Sequence, residues 1–480
     1  MQIKTRFAPS PTGFMHIGNL RTALYAYLFA RKNNGSFIIR IEDTDQERLV
    51  EGAVDMIFST LAQAGIDYDE GGKKGGPYAP YTQSERKQIY LEYAKKLIDL
   101  GGAYYCFCSK ERLEHLTDEN GVKKYDKHCL TLSAKQIKAN LNAGMPYVIR
   151  QNVPQEGESI FHDLVFGEIK VNCAELEDGV LIKSDGMPTY NFANVIDDHI
   201  MQISHVIRGS EFISSTPKFN LIYDSFGWKR PAYMHLSPIM KDRERKLSKR
   251  YGDANFNDFI EKGYLSQAIV NYIALLGWSP QDNREKMSIA ELIDAFSVEG
   301  ISKSGSIFDE EKLKWLNSLY IKELPLIEFL ELGKPFYDRS KAAKQFDWHL
   351  FGKVLHSRVE YLAEITEKTD FLVDFAEYDL NILLNEKLKI DSTVAKCSIK
   401  GAIKAISAVK NYADLFTALV GAAAECGINK KQMLWCVRVG LTGALVTPGG
   451  ATELIEILGK DKTIERLNFG LQLLEKTYKD

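Results

Sequence analysis

Seven cysteines in 480 residues are few, unevenly spaced and odd in number. That excludes a disulfide framework and suits a reducing compartment. No uninterrupted apolar run is long enough to span a bilayer, so no membrane partner is expected. Met1-Gln2-Ile3-Lys4 leads straight into a strand pattern with no apolar signal segment, and the expected location is cytoplasmic. A basic excess is missing too: 61 Lys and Arg stand against 64 Asp and Glu, a formal charge of −3. Nucleic-acid binders ordinarily show a basic footprint, so composition alone does not point to RNA. Any such surface must come from local clusters. The glycine- and proline-rich break from Gly71 to Tyr81 lacks the P-loop spacing and reads as a connector, not a phosphate cradle.

What is present is an ordinary globular composition, 45% hydrophobic and 26% charged, in a chain too long for one core. Three or more domains are expected. The organising stretch runs from Arg6 to Asn19, RFAPSPTGFMHIGN. Charged and apolar residues alternate before it, as in a strand, and Leu20, Ala23, Leu24, Tyr27 and Leu28 recur at helical spacing after it. Two prolines and a glycine between them make a strand, a rigid loop and a helix start. A helix N-terminus offers unpaired N–H groups and a partial positive charge, which suits a phosphate. His16 can donate to a phosphate oxygen there, and Gly18, lacking a Cβ, lets a nucleotide ring approach the backbone.

Far downstream, Lys246-Leu247-Ser248-Lys249-Arg250 sits in a run without apolar periodicity. Together the two stretches resemble the signature pair of class I aminoacyl-tRNA synthetases, the HIGH box (His16 to Asn19) and the KMSKS loop (Lys246 to Arg250). Asn19 in place of the second histidine and Arg250 in place of the last serine are similar to the glutamate branch of that family. The resemblance extends over nearly the whole chain, to the bacterial form. It implies an α/β fold: a Rossmann-like parallel-sheet catalytic domain split by a connective insertion, then all-α C-terminal domains. The implied boundaries are 1–75 and 180–254 for the two catalytic halves and 76–179 for the insertion that grips the acceptor stem. A helical linking domain at 255–324 and an all-helical anticodon-binding domain at 325–480 follow.

Ser36 to Ile41 reads as a strand, with Glu42-Asp43-Thr44-Asp45 at its carboxyl end, where ligands sit in open parallel sheets. Asp45 or Thr44 is expected to cap the next helix, near Glu47. By the resemblance, Glu42 faces the amino group of bound glutamate, and Arg6, Ala8, Ser10, Tyr190, Asn194 and Arg208 complete the amino-acid pocket. Two arginines offered to a dicarboxylate would reject the neutral amide, which leaves a buried charge unpaired. Asp197 and Asp198 read as capping or buttressing the site rather than acting as general bases. For ATP, the resemblance implies Pro9, His16, Gly18, Asn19, Lys246, Ser248 and Lys249, with His16, Lys246 and Lys249 catalytic and Mg2+ bridging the phosphates.

Within the insertion, Cys106-Phe107-Cys108 and Tyr125-Asp126-Lys127-His128-Cys129 invite a structural zinc reading. Thr131 stands where one family pattern needs histidine, which leaves Cys106, Cys108, Tyr125 and Cys129, with His128 as a substitute; whether zinc is held stays open. The partners implied are L-glutamate and tRNA(Glu), with tRNA(Gln) left open, acting on a monomer. A small-substrate nucleotidyltransferase sharing the first box would be short, and the insertion and helical tail argue against it. Lys249→Ala should lower the rate of adenylate formation by roughly two to three powers of ten, as loss of a preorganised charge donor does. Pyrophosphate exchange with tRNA present measures this, and a near-normal rate would remove Lys249 from the mechanism.

Overall fold

The structure is a computed structural model that describes residues 2–116, 125–247, 255–373, 375 and 378–478. The chain divides into two compact units, 1–260 with 266–310, and 261–265 with 311–480. The segment 255–324, read from sequence as a separate linking domain, is therefore divided between them.

The first unit starts with β1 (Lys4–Phe7), α1 (Ile17–Lys32) and β2 (Ser36–Ile39). β1 and β2 pair in parallel, Arg6 opposite Ile38, with α1 as the crossover. A parallel pair needs such a crossover, and the apolar run Phe37-Ile38-Ile39, wholly buried, fits a strand covered on both faces. α2 (Ala53–Gln63) and α3 (Lys87–Asp99) follow, then a second sheet of β3 (Ala103–Cys106), β4 (Val148–Gln151) and, further on, β7 (Val180–Ile182) in antiparallel order. Between β3 and β4 lie α4 (Lys110–Glu114) and α5 (Ala134–Asn142), α5 started by a Ser133–Gln136 capping box.

The hairpin β5 (Glu158–Asp163) and β6 (Gly167–Asn172) belongs by sequence to the insertion, yet β5 pairs with β9 (Ala232–Leu236), Asp163 opposite Tyr233. β9 in turn runs parallel to β8 (His205–Gly209), and Ser204, just before β8, donates its N–H to Lys4 O at 2.9 Å. So part of the insertion completes the core sheet, while β7, where the sequence marks the return to that core, pairs with β4. α6 (Tyr190–Ile200) and α7 (Thr216–Phe226) carry the chain between these strands. The unit closes with β10 (Ile239–Met240), α8 (Phe256–Glu261), α9 (Ser266–Leu275), α10 (Ile289–Ala295) and β11 (Ser306–Ile307), which pairs with β10. α9 is followed by Gly277, whose φ of +98° few other residues adopt.

The second unit is helical: α11 (Glu310–Glu323), α12 (Leu326–Tyr337), α13 (Trp348–Leu355), α14 (Glu364–Asp370), α15 (Ser392–Ala408), α16 (Leu415–Glu425), α17 (Lys430–Thr442) and α18 (Ala451–Thr477). Phe329, Trp348 and Phe351 fill one end of its core, and Ile399, Val437 and Leu467 the other. Trp348 Nε1 donates to Leu330 O at 2.9 Å, which satisfies the one polar atom that ring brings inside. Among the described residues no helix is long and apolar enough to cross a membrane.

Gly71, with φ of +105°, lies against β2 so closely that a Cβ would run into the Ile39 carbonyl oxygen. Gly71→Ala should therefore destabilise the first unit by about 2–4 kcal/mol, through a strained φ and a backbone clash together. Denaturant melts measure this, and a loss below about 0.5 kcal/mol would contradict it.

Candidate active site

One cavity of about 660 Å3 opens at the carboxyl ends of β1, β2, β8 and β9. Its wall includes Arg6, Ala8, Pro9, Ser10, His16, Gly18, Asn19, Glu42, Tyr190, Arg208 and Lys246, so most residues named from the sequence converge on one space. Asn194 does not reach the wall. It is buried one turn along α6, its Nδ2 donating to Tyr190 O at 2.6 Å. Ser248 and Lys249 lie outside the described residues. Lys246 lines the cavity, and Leu247, next to it, donates its N–H to Ile239 O at 3.0 Å.

His16 is the N-cap of α1, and its Nδ1 accepts from Gly18 N at 3.1 Å. An accepting Nδ1 puts the proton of the neutral ring on Nε2. Gly18 has a local reason beyond nucleotide access: a Cβ there would lie 3.2 Å from Nδ1, so the small residue lets the imidazole fold back onto its own helix. The cap expected from Asp45 or Thr44 is absent. A short 3-10 turn starts at Gln46 with no side-chain cap from Asp45, and α2 begins only at Ala53. Asp43 is the ordered acid instead, accepting from Ser84 N at 2.8 Å and Ser84 Oγ at 2.6 Å. A cap needs the helix to start within reach, and the chain here turns toward residue 84.

Beneath the cavity floor lies a buried ion network that the sequence did not reveal. Arg6, Arg40 and Arg86 meet Glu42, Asp197 and Asp198, none of the six more than 6% exposed. Arg40 reaches Glu42 at 2.9 Å and Asp198 at 2.7 Å, Arg6 reaches Asp198 at 3.1 Å, and Arg86 reaches Asp197 at 2.8 Å. Tyr90 and Gln83 donate to Asp197 at 2.7 and 3.0 Å. Asp197 and Asp198 thus buttress the site. Burial works to raise the Asp198 carboxyl, but the charges and hydrogen bonds of Arg6 and Arg40 outweigh it and hold it below the ordinary range. For Glu42 burial wins over Arg40 and Arg6, and its carboxyl sits above that range.

The two pocket arginines are not alike. Arg6 is neutralised by Asp198, whereas Arg208 finds uncharged partners, His235 Nε2 at 3.1 Å and Thr216 Oγ1 at 2.7 Å. The picture of two arginines offered equally to a dicarboxylate is corrected accordingly. Arg21, unnamed from sequence, also lines the cavity, its guanidinium donating to the Leu276 and Ser237 carbonyls. Its position on the helical face of α1 was visible; its inward aim was not.

In the insertion, the thiol sulfurs of Cys106, Cys108 and Cys129 lie within 4.8 Å of one another. The Tyr125 hydroxyl is 3.3 Å from Cys106 Sγ and 3.5 Å from Cys108 Sγ. His128 is exposed and does not join the group, so it is no substitute ligand. Burial pushes the Cys108 thiol up to about 11, while hydrogen bonds from Tyr125 and Arg150 overcome burial at Cys106 and bring it down.

A parallel sheet with an insertion, and a histidine-capped helix and Lys246 bordering one cavity, define the catalytic domain of a class I tRNA synthetase. The family described as tRNA synthetases class I (E and Q), catalytic domain, matches residues 2–315, and the family described as Anticodon binding domain matches residues 328–471. The chain belongs to the class I tRNA synthetases of the E and Q group. A glutamate–tRNA ligase of Clostridium tetani (strain Massachusetts / E88) is 51% identical over 99% of this chain and 98% of its own length. That of Clostridium acetobutylicum is 48% identical over 99% of both. The crystal structure of a glutamate tRNA ligase from Elizabethkingia meningosepticum CCUG26117, in complex with its amino acid, matches with a TM-score of 0.88. It is 34% identical, covering 99% of this chain and all of that one. Within the group this chain falls among the glutamate–tRNA ligases.

Asp198→Asn leaves Arg6 and Arg40 short of a buried negative charge and should destabilise the protein by about 3 kcal/mol or more. Because the folded-state pKa of Asp198 is depressed, its contribution is present above the unfolded pKa and fades as pH falls through the folded value. The gap between wild type and variant should be full at pH 7 and narrow below about pH 4. A gap independent of pH in paired melts would count against the ion pair.

Proposed function

We propose that this chain activates L-glutamate with ATP, releasing pyrophosphate, and transfers the glutamyl group to the 3′ end of tRNA(Glu), releasing AMP. The observation that carries the choice of amino acid is Arg208, a buried cation on the cavity wall whose hydrogen-bond partners carry no charge. It suits the side-chain carboxylate, with Arg6 beside it. Glu42, a member of the ion network that also lines the cavity, suits the substrate ammonium, and Tyr190 the pocket wall. Ala8 and Ser10 border the same space.

Neither step needs a covalent enzyme nucleophile. The α-carboxylate attacks the α-phosphorus in line, and catalysis is positioning plus charge stabilisation. His16, with its proton on Nε2, would donate to the phosphates at the start of α1, where the N–H groups also point. Pro9, Gly18 and Asn19 border the nucleotide. Lys246, Ser248 and Lys249 would close over it, the lysines meeting the charge on the α-phosphate and the departing pyrophosphate, and Mg2+ brought in with ATP would supply further charge neutralisation. The insertion, 76–179, would grip the acceptor stem. The linking segment, 255–324, joins it to the helical region, 325–480, which would read the anticodon.

Zinc fits the insertion cluster: three thiol sulfurs within 4.8 Å with a tyrosine hydroxyl beside them make a four-donor set. Cys106, Cys108, Cys129 and Tyr125 would hold it, and it would supply structural cross-linking of the segments around 106 and 129.

Charging with radiolabelled glutamate and ATP tests the whole reading. Product on tRNA(Glu) alone is expected of a discriminating monomeric enzyme; product on tRNA(Gln) as well would mean an indirect route to Gln-tRNA. No product on either would overturn the catalytic reading. Metal analysis of the purified protein should find about one zinc per chain, removed by chelator with a lower melting temperature, if the cluster is a structural site.

A further inference from the structure

Arg208 could not serve a substrate carboxylate if a protein carboxylate already neutralised it, and the arrangement behind it shows how that is avoided. Arg208 and His235 are register partners across the β8–β9 ladder. Arg208 Nε donates to His235 Nε2 at 3.1 Å, so that nitrogen carries no proton. The ring proton sits on Nδ1 and donates to Asp163 Oδ2 at 2.7 Å. Asp163 also accepts from the backbone N–H groups of Val165, Phe166 and His235 at 2.9, 2.8 and 3.1 Å. His235 and Asp163 are wholly buried, and neither forms part of the cavity wall.

This chain separates orientation from neutralisation. A carboxylate in direct contact would aim the guanidinium equally well, but it would cancel the charge and compete with an incoming carboxylate. One neutral imidazole keeps the hydrogen bond and moves the negative charge a ring's width back, where its pull is weaker. The rings of Phe212, Phe219 and Tyr233, 4.9 to 5.5 Å from the guanidinium carbon, hold the cation without charge of their own.

We propose that His235, held by Asp163, is a positioning residue that keeps Arg208 aimed into the cavity with no carboxylate hydrogen-bonded to it, and so sets the preference for a dicarboxylate amino acid over its neutral amide. This rests on the glutamate reading given above. Burial lowers the proton affinity of His235 and the charge of Arg208 lowers it further; the Asp163 hydrogen bond and the charges of Asp163 and Glu211 raise it, and the balance leaves the ring neutral. A protonated ring would turn an N–H toward Arg208 and break the arrangement.

Two variants of similar shape test it in the full-length enzyme charging tRNA(Glu). Gln presents its terminal carbonyl where Nε2 stood, keeping an acceptor for Arg208 and giving up Asp163; Asn presents its amide where Nδ1 stood and does the reverse. His235→Asn should raise the glutamate KM about tenfold or more, the scale of a hydrogen bond to a charged group. The kcat and ATP KM should stay within about twofold, and the preference for glutamate over glutamine should narrow. His235→Gln should stay within about threefold of wild type on all of these. A wild-type glutamate KM in His235→Asn, or equal losses of kcat and melting temperature in both variants, would overturn the proposal. If neither variant folds, Asp163→Asn decides. By favouring the tautomer that points N–H at Arg208, it should raise glutamate KM at unchanged kcat, and an unchanged KM would overturn the proposal. Wild-type enzyme that charges no glutamate would instead sink the functional reading on which it stands.

Discussion

Three arginines and three carboxylates, packed together out of water under the cavity, are the constraint that the rest of the first unit depends on. Arg6 comes from β1, Arg40 and Glu42 from the end of β2, Arg86 from the segment leading into α3, and Asp197 and Asp198 from α6. Arg6 and Asp198 are separated by 192 residues, and Arg86 and Asp197 by 111. The network therefore joins the two halves of a sheet that the insertion divides. Formally it is neutral, three positive charges against three negative, which lets it be buried at all. Removing any one member leaves an unpaired charge in a dry place, so the halves are held in one register.

That register fixes the cavity above. With β1, β2, β8 and β9 locked side by side, the residues just past their carboxyl ends face one another: Ala8 to Ser10, Glu42, Arg208 and Leu236. The histidine-capped start of α1 arrives at the same place because the Pro9-to-Gly13 loop is too short and too rigid to carry it elsewhere. Electrostatically the space is graded. The floor is neutralised within itself, the wall carries Arg208 and Arg21, whose guanidiniums donate to uncharged groups, together with Glu211, and Lys246 borders the same space.

Much of this was legible in the linear chain. The strand–loop–helix around His16 was readable because two prolines and a glycine interrupt two clean periodicities. The acidic cluster after β2 lies at a strand end for the same reason. Asp197 and Asp198 were placed correctly as supports, since adjacent acids on one helix that also carries pocket residues have little room for another role. The cap assigned to Asp45 or Thr44 was not borne out, because capping depends on where the next helix starts, and a 3-10 turn intervenes. Asn194 illustrates a different loss: it sits in the right helix, but rotation about the axis turns it inward onto Tyr190 O and away from the cavity.

The sequence by itself determined the class of reaction and the local elements that serve it, because helix starts, strand runs and charged loops are written in short-range spacing. It also marked Cys106, Cys108, Tyr125 and Cys129, which the structure brings together in one cluster. Only the tertiary structure decided which charges cancel. That Arg6 is paired while Arg208 is not, that Arg40 is a structural member rather than a surface residue, and that His235 and Asp163 stand behind the pocket all depend on contacts between distant segments. Coulomb interactions act through space, and a buried charge has the meaning its neighbours give it, so residue type and spacing could name the arginines without telling them apart.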